Sequence, residues 1–200
     1  MKMEAQIDQV FKNELKITDT TGNPGALGLL AFGLTTIILN MHNAGIFGMG
    51  SVVFAMGIFY GGIAQIIAGI MEWKKNNTFG LTVFTSFGFF WICLVFMLLM
   101  PMWGWGPAIS KEGMVCFLGI WGLFAFALFL ITFRMAKSMQ VLFALLVILF
   151  FLLIVGNALG NSTILMVAGI DGILCGLCSM YIGLGQIMNE VWKETVVRLG

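Results

Sequence analysis

Polar and small residues recur at helical intervals through stretches that are otherwise apolar. Asp171, Cys175, Ser179, Gly183, Gln186 and Glu190 step by four, four, four, three and four, which puts them on one face of a helix. Gly57, Gly61, Gln65 and Gly69 form a second stripe at intervals of four. Thr78, Thr82, Thr85 and Ser86 share a third face, and Thr35, Thr36 and Asn40 lead to His42 and Asn43 on a fourth. Rows of this kind serve one of two ends. They hold helices together by close approach and hydrogen bonding, or they line a watery path and hydrogen-bond to a solute crossing it. Gln65 and the face carrying Ser179 and Gln186 fit either reading. Asp171, His42 and Glu72 are the titratable candidates for a proton link. Asp171 is either a proton relay or a residue near the outer mouth, and its place favours the mouth. A lone His42 at a helix end serves ordinarily as a capping or solvated residue, with a ligand or pH-sensing role as the alternative.

Catalytic chemistry finds little to stand on. The sequence holds no phosphate loop, no nucleophile elbow, no Ser/His/Asp set and no His/Cys/Asp group at metal-ligand spacing, so no enzyme, cofactor or metal is expected. Cys175-Gly-Leu-Cys178 has redox spacing but lies in an apolar helical stretch, where buried thiols stay protonated and inert.

The elements that carry these residues follow from composition. Hydrophobic residues make up 60% of 200 and charged residues 10%, against about 25% charged in a soluble domain. Mean hydropathy is +1.03. A net charge of +1 offers nucleic acid nothing to bind. No Asp, Glu, Lys or Arg occurs between Asp19 and Glu72, Lys75 and Lys111, or Glu112 and Arg134, and Asp171 is the one charge between Lys137 and Glu190. A spanning helix needs about 20 apolar residues, so these stretches hold two, one, one and two spans. We expect them near 26–42, 51–72, 79–100, 114–133, 139–157 and 162–188. The fourth and fifth, nearly all aliphatic and aromatic, are expected to face lipid or neighbouring subunits. Residues 1–22 are expected to form a polar cytoplasmic arm rather than a signal peptide, either resting on the membrane surface or solvated. Residues 23–192 form the transmembrane domain and 193–200 a short tail.

Six spans place Lys2, Lys12, Lys16, Lys74, Lys75, Arg134, Lys137, Lys193 and Arg198 on one side and Lys111 on the other. The excess of basic residues marks that side, with both termini, as cytoplasmic. The expected fold is therefore an all-α integral membrane protein of the cell membrane, a six-helix bundle with cytoplasmic termini. Tyr60-Gly61-Gly62-Ile63-Ala64-Gln65 also resembles Tyr181-Ile182-Gly183-Leu184-Gly185-Gln186, each followed by an acid and Trp. Such an internal repeat suits a transporter.

Asn23-Pro24-Gly25-Ala26-Leu27-Gly28-Leu29 resembles the signature of the acetate uptake transporter family, the succinate–acetate permease group, with Ala26 where a second Pro is usual. The likeness continues through Phe32-Gly33-Leu34-Thr35-Thr36, Asn40-Met41-His42-Asn43, Met56 to Gln65, Asn77-Thr78-Phe79-Gly80, Thr85-Ser86-Phe87-Gly88 to Trp91, Gly156-Asn157 to Gly160-Asn161, and Asn189-Glu190. The resemblance implies a path through each subunit, hexameric assembly, and transport of acetate or related small carboxylates such as succinate, with protons. It implies a hydrophobic constriction at Phe32, Phe87 and Leu146, Phe87 standing where the family has Tyr. Ser179 takes the place of a common Ala thought to help set substrate size, and Gln186 that of a frequent Glu. On the residues and the resemblance together, Asn23, Leu29, Thr35, Thr36, Asn40, Tyr60, Gln65, Thr82, Ser86, Asn157, Asn161, Ser179 and Gln186 are expected along the path. A channel for neutral solutes such as urea or short amides, and a membrane sensor that transports nothing, are the alternatives.

Overall fold

The computed structural model describes residues 21–200, so the arm expected over 1–22 lies almost wholly outside the described residues. Among them, six helices are long and apolar enough to cross a membrane. They are α1 (Pro24–Asn43), α2 (Ser51–Lys74), α3 (Thr78–Leu99), α4 (Lys111–Thr132), α5 (Lys137–Leu159) and α6 (Ser162–Trp192). No strand occurs among the described residues. Side-chain oxygens of Asn23, Asn77, Ser110 and Asn161 accept backbone N–H groups at the starts of α1, α3, α4 and α6, satisfying donors that a helix start leaves unbonded. Between α5 and α6, Gly160 at φ 62° ends one helix and Asn161 starts the next.

Three features were not expected. Residues Met56–Ala64 of α2 are π-helical. In an α-helix a repeat of four drifts round the axis by about 40° per step, and the wider π turns reverse the sense of that drift over part of the row. Gly57, Gly61, Gln65 and Gly69 are all buried. The second is α5, expected to face lipid or neighbouring subunits apart from Leu146. It buries Leu142, Phe143, Leu146, Leu149 and Phe150 in the core, and α4 is the span with the smallest buried share. The third is the tail after α6. Asn189 accepts the N–H groups of Val196 and Val197 and donates to the Val197 carbonyl, each at 2.8 Å. Tyr181 Oη donates to the Arg198 carbonyl at 2.9 Å, and Ser138 N–H to that of Leu199 at 3.2 Å. The tail therefore folds back along α6 to the start of α5.

Glycines set the distances between helices. A Cβ on Gly33 or Gly176 would run into the facing backbone of α6 or α1, and one on Gly61 would stand 2.7 Å from Thr35 Cγ2. Small residues of this kind let helix backbones approach in a membrane.

Candidate permeation site

Two cavities lie along the bundle interior. The larger, about 500 Å3, is a vestibule at the end where α1, α3 and α5 begin, the end that carries Lys74, Lys75, Arg134 and Lys137. Asn23, Gln65, Glu72, Lys75, Asn77 and Gln186 give its wall polar groups, while Leu29, Phe79, Val83, Phe84, Met139 and Phe143 give apolar ones. The smaller, about 30 Å3, lies deeper, among Thr36, Leu39, Asn40, Phe90, Trp91, Leu149, Phe150 and Leu153. That is room for about one water molecule. Phe32, Phe87 and Leu146 line both cavities. They are 7%, 1% and 4% exposed, and the rings of Phe32 and Phe87 meet edge to face with centroids 6.0 Å apart. Phe87 is braced from behind by Phe90, Trp121 and Phe124 at centroid distances of 5.8–6.2 Å. A hydrocarbon partition therefore divides a roomy vestibule from a tight chamber.

Polar groups flank the partition on both sides. Gln65 is buried in the vestibule wall, and its Oε1 has no hydrogen-bond partner among the described residues. Beyond the partition, Thr36 Oγ1 and Trp91 Nε1 are likewise buried and unpartnered in the chamber wall. Asn40 beside them is bonded, donating to the Thr36 carbonyl at 2.9 Å and accepting from Asn43. At the vestibule mouth Asn23 Nδ2 donates to Gln186 Oε1 at 3.0 Å, and Asn77 Nδ2 to Glu72 Oε2 at 2.7 Å. Lys75 Nζ reaches the Thr21 carbonyl.

Residues 11–197 match the family described as GPR1/FUN34/yaaH. The chain belongs to the GPR1/FUN34/yaaH family. It is 48% identical over 178 residues, 89% of this chain and 95% of the other, to the succinate-acetate/proton symporter SatP of Escherichia coli K12. It is 31% identical over 185 residues to acetate permease A of Emericella nidulans, covering 84% of this chain and 62% of that one. A solved structure described as the bacterial acetate channel SatP matches with a TM-score of 0.89 at 47% identity, over 90% of this chain and all of that one. This GPR1/FUN34/yaaH chain is a multi-pass membrane protein.

The bundle sorts the remaining expected residues into other places. Thr35 Oγ1 lies at the α1–α2 seam, 3.4 Å from the Met56 carbonyl where the π turns begin. Ser179 is buried and donates to the Leu29 carbonyl at 2.7 Å, so it meets the vestibule only through Leu29. Thr82 is exposed and Tyr60 and Ser86 half-buried, and none lines either cavity. On α3 the inward row is Phe79, Val83, Phe87 and Phe90, which turns Thr82 and Ser86 aside. Asn157 donates to the Leu153 carbonyl at 2.7 Å and Asn161 caps α6; neither lines a cavity, though Leu153 lines the smaller one. His42 Nδ1 lies 3.0 Å from the Phe47 carbonyl. Asp171 is half-buried outside both cavities, with Oδ2 unpartnered among the described residues. Of the titratable candidates, Glu72 is the one in a cavity wall. The two similar segments of α2 and α6 bring Gln65 and Gln186 into the same vestibule. Sequence reasoning gave no site role to Asn77 or Trp91. Asn77 three residues before Gly80 is a helix-start signal, whereas nothing distinguished the Trp91 N–H from those of other interior aromatics.

Proposed function

We propose that this protein carries acetate and related small carboxylates, succinate among them, across the cell membrane with protons. The path runs from vestibule to chamber through the Phe32–Phe87–Leu146 partition of each subunit, with the vestibule and both termini on the cytoplasmic side and subunits assembled as a hexamer. One observation carries the reading: the same three hydrocarbon side chains wall two cavities, and in those walls Gln65 Oε1, Thr36 Oγ1 and Trp91 Nε1 are buried without a partner among the described residues. Trp91 offers a donor only and Thr36 a hydroxyl. These suit the oxygens of a carboxylic acid arriving through a gap that cannot hydrogen-bond to it.

Magnitudes favour co-transport of a proton. Moving a bare carboxylate into a dry medium costs on the order of 20 kcal/mol in the idealised limit, and one helix end returns at most about 2 kcal/mol. Protonating a carboxylate of ordinary pKa at pH 7 costs roughly 3.7 kcal/mol. The neutral acid, or the anion with its proton, crosses such a partition far more readily than the anion alone.

Labelled acetate uptake into proteoliposomes tests this directly. An inward proton gradient is expected to raise the initial rate, excess unlabelled acetate to suppress it, and excess urea to leave it alone. Suppression by urea would favour the neutral-solute reading. Uptake indifferent to gradient and pH would reject proton linkage, and no uptake at all would leave a sensor role.

A further inference from the structure

Glu72 lies in the last turns of α2, 3% exposed, in the vestibule wall. Its Oε2 is held by Asn77, whose Oδ1 caps α3 by accepting the Gly80 N–H at 3.0 Å. A Cβ built on Gly25, in the first turn of α1, would stand 3.0 Å from Glu72 Oε1, and one on Gly80 would stand 2.9 Å from its Cδ. One carboxylate therefore lies against the first turns of two helices, and each turn carries glycine where the carboxylate approaches. Helix starts present unbonded N–H groups and the positive end of the helix dipole, and so attract anions. Gln65, seven residues earlier in α2, lines the same cavity, and its buried Oε1, an acceptor, has no partner among the described residues, a separate sign that this cavity receives a hydrogen-bond donor such as a protonated acid.

We propose that Glu72 is a tethered anion occupying the carboxylate-attracting position at the vestibule mouth, so that a substrate anion must compete with it unless a proton neutralises one of the two. The inference rests on the carboxylate-transport reading above and assigns that site its regulation. Among the described residues, the charged group lining the same mouth with Glu72 is Lys75, from the α2–α3 turn. The facing elements contribute neutral groups: Asn23 from α1, Asn77 at the start of α3, Gln186 from α6, and Met135 and Ala136 between α4 and α5. Two carboxylates at the same pair of helix starts repel each other, which lowers the affinity for substrate anion while Glu72 is charged.

The test is the concentration dependence of labelled acetate uptake at pH 7 by the full chain in proteoliposomes, comparing wild type, E72Q and E72D. E72Q removes the charge and keeps an oxygen for Asn77. Its KM is expected to fall about tenfold, the scale of like-charge repulsion near a protein surface, and stimulation by an inward proton gradient is expected to shrink. E72D draws the charge back by one methylene and is expected to fall between the two, which keeps a readout if E72Q does not fold. A KM in E72Q and E72D equal to or above that of wild type, with gradient stimulation intact, would overturn the role of Glu72 while the transport reading stands. Wild-type protein that moves no acetate under any gradient would overturn both.

Discussion

Gln65 carries an energetic burden that packing alone does not explain. A buried amide oxygen without a partner costs about 1–3 kcal/mol, and buried side-chain polar atoms in stable folds are mostly bonded. An amide kept for helix–helix adhesion would have its partner in the protein, as Ser179 has in the Leu29 carbonyl. Gln65 Oε1 has none among the described residues and borders the vestibule, so its partner is best sought in what enters. Gln65→Leu is accordingly expected to separate stability from transport. The unfolding midpoint in detergent should rise, by the equivalent of about 1 kcal/mol, while the rate of acetate uptake falls several-fold. A thermal-unfolding series alongside proteoliposome rates checks both halves. A Leu variant that is less stable and transports normally would return Gln65 to a packing role.

The helix that presents Gln65 owes its geometry to the nine π-helical residues Met56–Ala64. Thr35 and Gly61 meet at that segment, with the Thr35 hydroxyl against the Met56 carbonyl. Gly61→Ala would bring a methyl within 3 Å of three Thr35 atoms. Overpacking of this kind costs about 1–3 kcal/mol. Thr35→Ala in the same chain should restore part of the loss, a coupling that a double-mutant cycle of unfolding midpoints reads. The same helix shows what the sequence could and could not disclose. All six spans were legible, because a membrane enforces about 20 apolar residues per crossing and charge-free stretches display that length directly. The π turns were not, since only a local density of glycine marks them. Apart from Leu146, the inward face of α5 was hidden because residues 141–155 are all apolar, leaving periodicity nothing to contrast. Polarity alone also misled at Thr82 and Ser86. A helix hydroxyl can be satisfied locally by its own backbone, so a polar row on a helix need not face a path. Phe32, Phe87 and Leu146 were named only through family resemblance, since they carry no polar signal and come from three separate helices.

On the proposed path across the bundle, the contents of the partition are expected to decide what passes. Its three side chains are hydrocarbon, and the chamber beyond is some fifteen times smaller than the vestibule before it. Size selection should therefore act at the partition and not at the mouth. Leu146 is the part that can be trimmed with least disturbance, because Phe87 is wedged among Phe90, Trp121 and Phe124. Leu146→Ala removes three carbons between the cavities. Two effects should follow together. Longer monocarboxylates should gain uptake relative to acetate, because the gap is wider. Dependence on the proton gradient should weaken, because water can follow the solute, and the penalty of order 20 kcal/mol for a bare carboxylate applies only to a dry passage. The truncation itself costs about 2–5 kcal/mol of stability, so size-exclusion behaviour and unfolding midpoint must be measured beside competition assays with acids of graded length. A variant that folds, keeps the wild-type size limit and remains fully gradient-dependent would show that the restriction lies elsewhere. Selection would then pass to the mouth, where Asn23, Glu72, Asn77 and Gln186 meet, and would be expected to act on charge instead of length.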